Sequence, residues 1–103
     1  MLEKIIGKID LCVEDFLSVS ETVPEFEKIS FYVKSNVVRV FYHVSIREER
    51  WSVAEKIIGK VDSFNKTTVK MGNFLCGLKI KPFRVVKDRL DFFIRAEADY
   101  KKG

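Results

Sequence analysis

His43 is the chain's single histidine, and Cys12 and Cys76 are its only cysteines. Thiol, hydrolytic or metal chemistry would have to be assembled from these three and from the carboxylates. A cysteine nucleophile needs a histidine near enough to take its proton. Cys12 falls on the apolar stripe of a predicted helix, where a thiol is inert, which leaves Cys76 as the candidate partner for His43. No second histidine, CxxC or Asp/Glu/His spacing suggests a metal site, and neither metal nor cofactor is expected. The glycine-rich phosphate and dinucleotide loops and the GxSxG nucleophile turn are missing too. Acidic pairs such as Glu14-Asp15 and Glu48-Glu49 sit at a helix flank and in a turn, as solvated charge does. The expectation is a protein that is not an enzyme.

What could hold a partner is a set of rings and cations: Tyr32, Arg39, Phe41, His43, Lys79, Lys81, Arg84, Phe93 and Arg95. Their placement depends on an internal repeat. Residues 3–10 read EKIIGKID and residues 55–62 read EKIIGKVD, matching at seven of eight positions with an offset of 52. At the same offset, FYVKSNVVRVFY (31–42) falls on FRVVKDRLDFFI (83–94), so Phe31 meets Phe83, Val38 meets Leu90 and Phe41 meets Phe93. A fixed period of this kind indicates duplication. The repeats span 1–50 and 53–102 within a single domain, 1–103.

Each copy opens with a helix. Leu2, Ile5, Ile6, Ile9, Cys12, Val13, Phe16 and Leu17 recur at helical spacing, as do Val53, Ile57, Ile58, Val61 and Phe64. Ser52 and Glu55 form a capping-box pattern that starts the second helix near 52, whereas nothing caps the first, which is expected to fray. Gly7 and Gly59 fall opposite the apolar stripes, either as relics of duplication or as points of close approach.

Each copy then turns to strands. Val38, Val40, Tyr42, Val44 and Ile46 point one way, and Val37, Arg39, Phe41, His43 and Ser45 the other. A turn at Ser35-Asn36 pairs Val33 with Val38 and Phe31 with Val40 on the core side. A turn at Lys87-Asp88 likewise pairs Val85 with Leu90 and Phe83 with Phe92. Residues 18–27 form an acidic linker, Gly72-Asn73 turns a short extra hairpin, and Pro82 marks a bulge or strand start. The fold predicted is α+β, a duplicated helix–β-hairpin unit (αββ)2. It has a single antiparallel sheet with two helices on one face. Its element order resembles the ferredoxin-like β-α-β-β-α-β order by circular permutation. A more strongly curved helix-grip sheet is the alternative. Topology of this kind carries no function by itself.

In that register the nine rings and cations point away from the helices or lie beside that face. Tyr32 stands across from Arg39 as a cation–π pair, and Arg84 across from Asp91 as an exposed ion pair. Two classes of partner fit. The face packs against another copy and buries the phenylalanines in a homo-oligomer. Alternatively the rings stack on bases of single-stranded RNA while Arg and Lys hold phosphates. The first reading is a small interaction module, and a small-ligand or catalytic role is a third. Asp91, Glu97 and Asp99 on the same face, and the lack of a known RNA-binding aromatic motif, weigh against RNA.

Charge and composition set outer bounds. Residues 1–52 carry seven Lys/Arg against nine Asp/Glu, and residues 53–103 twelve against six, so the second half is the one suited to phosphate. No apolar run of membrane-spanning length occurs, and the chain opens on an amphipathic pattern rather than a signal peptide. Two unpaired cysteines point to the cytoplasm. The lack of Gln and the abundance of Lys resemble thermophile composition.

Overall fold

A computed structural model describes residues 1–81 and 84–100. Helix α1 (Leu2–Leu17) is followed by β1 (Glu25–Lys34) and β2 (Val37–Arg47). A 3-10 turn (Glu48–Arg50) leads into α2 (Trp51–Ile58), then β3 (Lys66–Met71), β4 (Phe74–Ile80), β5 (Arg84–Val86) and β6 (Arg89–Asp99). The strands make one open sheet in the order β1-β2-β6-β4-β3, and every neighbouring pair is antiparallel. Strand β2 occupies one edge of β6 along its whole length, so β5 shares the other edge with β4. The chain is α+β, with two α-helices among the described residues.

Alternation along the central strands explains the layers. Val38, Val40, Tyr42, Val44 and Ile46 of β2 are buried, as are Phe92, Ile94, Ala96 and Ala98 of β6. Against them α1 sets Ile9, Cys12, Val13, Phe16 and Leu17, and α2 adds Val53, Ala54 and Ile57. Both helices therefore pack on the same side of the sheet. Each large apolar side chain so buried contributes about 1.5–3 kcal/mol, which makes this layer the source of the fold's stability. The other side of the sheet has no covering element among the described residues.

The hairpin registers are those the turn residues dictate: Val33↔Val38 and Phe31↔Val40 in the first, Val85↔Leu90 and Arg84↔Asp91 in the last. Ser35 and Lys87 both take a positive φ, 53° and 56°, at equivalent turn positions. The Gly72-Asn73 hairpin forms between β3 and β4, with Gly72 at φ 63°. The pairing proposed for Phe83 and the bulge proposed at Pro82 fall outside the described residues.

Several expectations about the fold need correction. Phe31, Val33 and Val85 are paired as predicted but are not core, being 48%, 41% and 61% exposed. The reason is tertiary: α1 packs mainly on β2, β6, β4 and β3 and meets β1 near its start, where Asp10 pairs with Lys28, so the second half of β1 stays uncovered. Strand β1 also begins at Glu25, inside the segment expected as linker, and carries a bulge between Lys28 and Ser30. Finally, the Ser52/Glu55 capping box does not form. The 3-10 turn feeds the helix in at Trp51, so Ser52 is already helical and no side chain caps the start.

Candidate functional site: the open face of the sheet

The nine predicted residues are brought together on or beside the face turned away from the helices. Reading across the strands from β1, the registers give four rows. Glu25, Ser45, Asp91 and Arg84 form one row, and Glu27, His43 and Phe93 the next, with Lys81 donating its backbone N–H to Phe93 C=O at 2.8 Å. Ser30, Phe41, Arg95, Lys79 and Lys66 form the third. Tyr32, Arg39, Glu97, Gly77 and Thr68 form the fourth.

Within these rows the rings trace a diagonal. Tyr32 on β1 stacks on Phe41 on β2 with centroids 5.9 Å apart, and His43 lies 5.1 Å from Phe93 on β6. Phe93 is 45% exposed and Tyr32 40%, while Phe41 is half-buried. The polar residues separate to either side of the diagonal. On one flank His43 stands 3.9 Å from Glu27 and 3.7 Å from Asp91. Asp91 also accepts a 2.7 Å hydrogen bond from Ser45 Oγ, which accepts one of 2.6 Å from Arg89 Nε. Asp91 thus turns towards Ser45 and His43, and the exposed ion pair expected with Arg84 is not formed.

The other flank is cationic. Arg39 Nε and Arg95 Nε lie 3.2 and 3.1 Å from the same Glu97 oxygen. Neither has the angle of a hydrogen bond, so the contacts are ionic rather than directional. Arg39 also donates to Tyr32 Oη at 2.9 Å, with its guanidinium 5.8 Å from the ring centre. That hydrogen bond first, and the Glu97 charge second, hold the guanidinium protonated even above its usual range. Beyond Arg95 come Lys79 and then Lys66, each directly opposite the last across adjacent strands. Among the described residues neither ammonium has an acidic partner. Gly77 leaves the floor beside them bare, since a Cβ there would meet nothing within 4 Å, and Thr68 borders the resulting groove.

Lys66, Thr68, Gly77 and Glu97 are not among the predicted site residues. The polar alternation of Lys66, Thr68 and Lys70 is the available signal, although their position beside Arg95 depends on strand order.

Thiol chemistry finds no geometry here. Cys76 is fully buried on the helix side of the sheet, as is Cys12, and His43 is on the opposite side. Burial pushes the Cys76 thiol up to about 12 and raises Cys12 as well, with the neighbouring Cys12 thiol a further cause at Cys76. Among the described residues no group of His, Cys, Asp and Glu is placed to hold a metal, and no helix is long and apolar enough to cross a membrane. Comparison with protein-family models, curated proteins and solved structures found no match to the chain.

Proposed function

We propose that the open face binds single-stranded nucleic acid, RNA in particular, without catalysis. Bases stack along Tyr32, Phe41 and Phe93, and phosphates lie against Arg95, Lys79 and Lys66. The observation that carries this reading is the cation ladder. Like charges directly opposite one another on neighbouring strands are destabilising, and two such pairs sit side by side at Lys66↔Lys79 and Lys79↔Arg95. Among the described residues, Arg95 alone of the three has a carboxylate to offset it. A polyanion supplies the missing counter-charge, and the adjacent rings explain why its bases should be unpaired.

A fluorescence titration with a short single-stranded RNA, and with a duplex of equal length, tests this. Expected is salt-sensitive binding that favours the single strand. Lys66→Glu with Lys79→Glu should weaken it at least tenfold and make its salt dependence shallower by roughly 1 per contact removed. Phe93→Ala should weaken it by about 1–3 kcal/mol with the salt slope unchanged. No binding at low salt, or equal affinity for duplex, overturns the proposal.

The second reading is self-association through the same face, favoured by the exposed Phe93 ring at the position equivalent to the ring of Phe41. A dimer dissociated by Phe41→Lys with Phe93→Lys, and indifferent to RNA, would establish it. The finer description of the fold favours neither over the other. We infer a duplicated αββ unit related to the ferredoxin-like order by permutation. The β1-β2-β6-β4 order is what such a permutation produces, with β3 as an addition. Two buried free thiols support a cytoplasmic setting.

A further inference from the structure

The sheet ends in two edge strands that differ in kind. Strand β3 is six residues long and carries Lys66 and Lys70 on its open face, so two copies approaching by this edge would repel. Strand β1 is ten residues long, and Ile29, Phe31, Tyr32 and Val33 along it are 40–53% exposed. Among the described residues no strand lies beside its outer backbone groups, and the helix layer leaves Phe31 and Val33 uncovered. Its charges are not of one sign either. Glu25 and Glu27 lie towards its start, where Lys28 is already paired with Asp10, and Lys34 lies at its end.

We propose that β1 pairs with β1 of a second copy, antiparallel, about a two-fold axis between Ile29 and Ser30. This register sets Glu25 opposite Lys34 of the partner strand, Phe26 opposite Val33, Glu27 opposite Tyr32 and Lys28 opposite Phe31. It matches faces throughout, because the bulge between Lys28 and Ser30 offsets the alternation once in each strand. Glu25, Glu27, Tyr32 and Lys34 share the open side, and Phe26, Lys28, Phe31 and Val33 the helix side. An antiparallel two-fold brings an acidic start against a basic end twice over. It also covers Phe31 with the aliphatic stem of Lys28. Strand addition at an exposed edge is a general mode of association, and it leaves the open face free in both copies.

Light scattering on the whole chain across a concentration series tests the pairing. The wild type is expected to dimerise. Lys34, which has no ion-pair partner among the described residues, gives the cleanest variant. Lys34→Glu should raise the dimer dissociation constant roughly tenfold, since two attractive pairs become repulsive. Adding Glu25→Lys in the same chain should restore it, and thermal melting should show both variants folded. Glu25 already stands 3.4 Å from Arg89, but with its side chain 79% exposed it can swing to the new partner. A wild type that stays monomeric at the highest concentration overturns the proposal. So does a charge-swapped double variant no stronger than Lys34→Glu alone, or a dimer lost only on Phe93→Lys.

Discussion

The octets at 3–10 and 55–62 differ at one position, Ile9 against Val61, and yet they become different structures. The first lies wholly inside a helix of 16 residues, and the second leaves a helix of 8 residues at Ile58. The residues C-terminal to each octet account for this. After Asp10 the apolar spacing continues through Cys12, Val13, Phe16 and Leu17, all buried against the sheet. After Asp62 the corresponding positions are Phe64, Asn65, Thr68 and Val69, of which only Val69 is buried. Asp62 instead accepts the backbone N–H of Phe64 and of Lys66, at 2.9 and 2.8 Å, and Asn65 takes φ 59°. A short helical sequence is marginal on its own, so tertiary burial decides whether it propagates. The lysines of the octets keep closer roles. Lys8 lies 5.5 Å from the Phe74 ring, and Lys60 lies 4.8 Å from Phe16 while donating 2.6 Å to that residue's backbone carbonyl.

The largest effect is expected at the rings that extend this contrast. Phe16 is 1% exposed and Phe64 75%. Phe16→Ala should lower unfolding free energy by about 3–5 kcal/mol through the cavity it leaves. Phe64→Ala should stay within about 0.5 kcal/mol of the parent, as surface changes do. Chemical denaturation of both variants measures the gap. Equal losses would mean that the segment after Asp62 is packed in solution and that the two halves share more of their structure.

An intermediate effect separates the two aspartates. Asp10 accepts a short hydrogen bond from the hydroxyl of buried Tyr42 and pairs with Lys28 at 3.0 Å, joining α1 to β2 and β1. Burial first, and this carboxylate second, push the Tyr42 phenol far above its ordinary range. Asp10→Ala leaves that hydroxyl without its acceptor, for a loss of about 1–3 kcal/mol. Asp62→Ala frees two backbone groups that water can reach and should cost roughly 0.5–1 kcal/mol, in the manner of a lost cap. Adding Tyr42→Phe to Asp10→Ala should recover part of the loss. If it does not, the link through Tyr42 is not what Asp10 contributes.

The same contrast separates what is legible in the sequence from what is not. The alternation of β2 is legible because the strand is covered on one side only, so Val38 to Ile46 sort cleanly from Arg39 to Ser45. The turn at Ser35-Asn36 then sets the register of β1. Nothing local tells that Phe31 and Val33 are uncovered, since that depends on how far α1 reaches across the sheet. The bulge at Ile29 leaves no trace in composition. Of the open face, the rings and arginines of β2 and β6 are visible in the pattern. The partnering of Asp91 with Ser45 rather than Arg84 is not, nor is the ladder through Lys66, which requires β3 to lie beside β4 in the sheet order. The second octet reads as a full helix because its first four residues are indistinguishable from those of the first.

The smallest effect, at the paired glycines, probes that point directly. Gly7 is inside α1 with nothing within 4 Å of where a Cβ would stand, so no neighbour among the described residues requires its smallness. A glycine in a helix interior costs up to about 1 kcal/mol relative to alanine, chiefly through backbone entropy. Gly7→Ala should therefore stabilise the protein by about 0.5–1 kcal/mol. Gly59 is the C-cap of α2, with right-handed dihedrals of −64° and −16°. An added Cβ would sit 3.5 Å from the carbonyl oxygens of Glu55 and Lys56, which is ordinary contact. Alanine is tolerated there, but it stands where the helix ends, so the gain should be about half as large or less. Thermal melting of the two single variants and the double would show the difference, with additivity expected because the sites belong to separate helices. Equal gains would indicate that the second octet is helical beyond Ile58 in solution. A loss at Gly7 would indicate that something outside the chain, such as a second copy, packs against that face of α1.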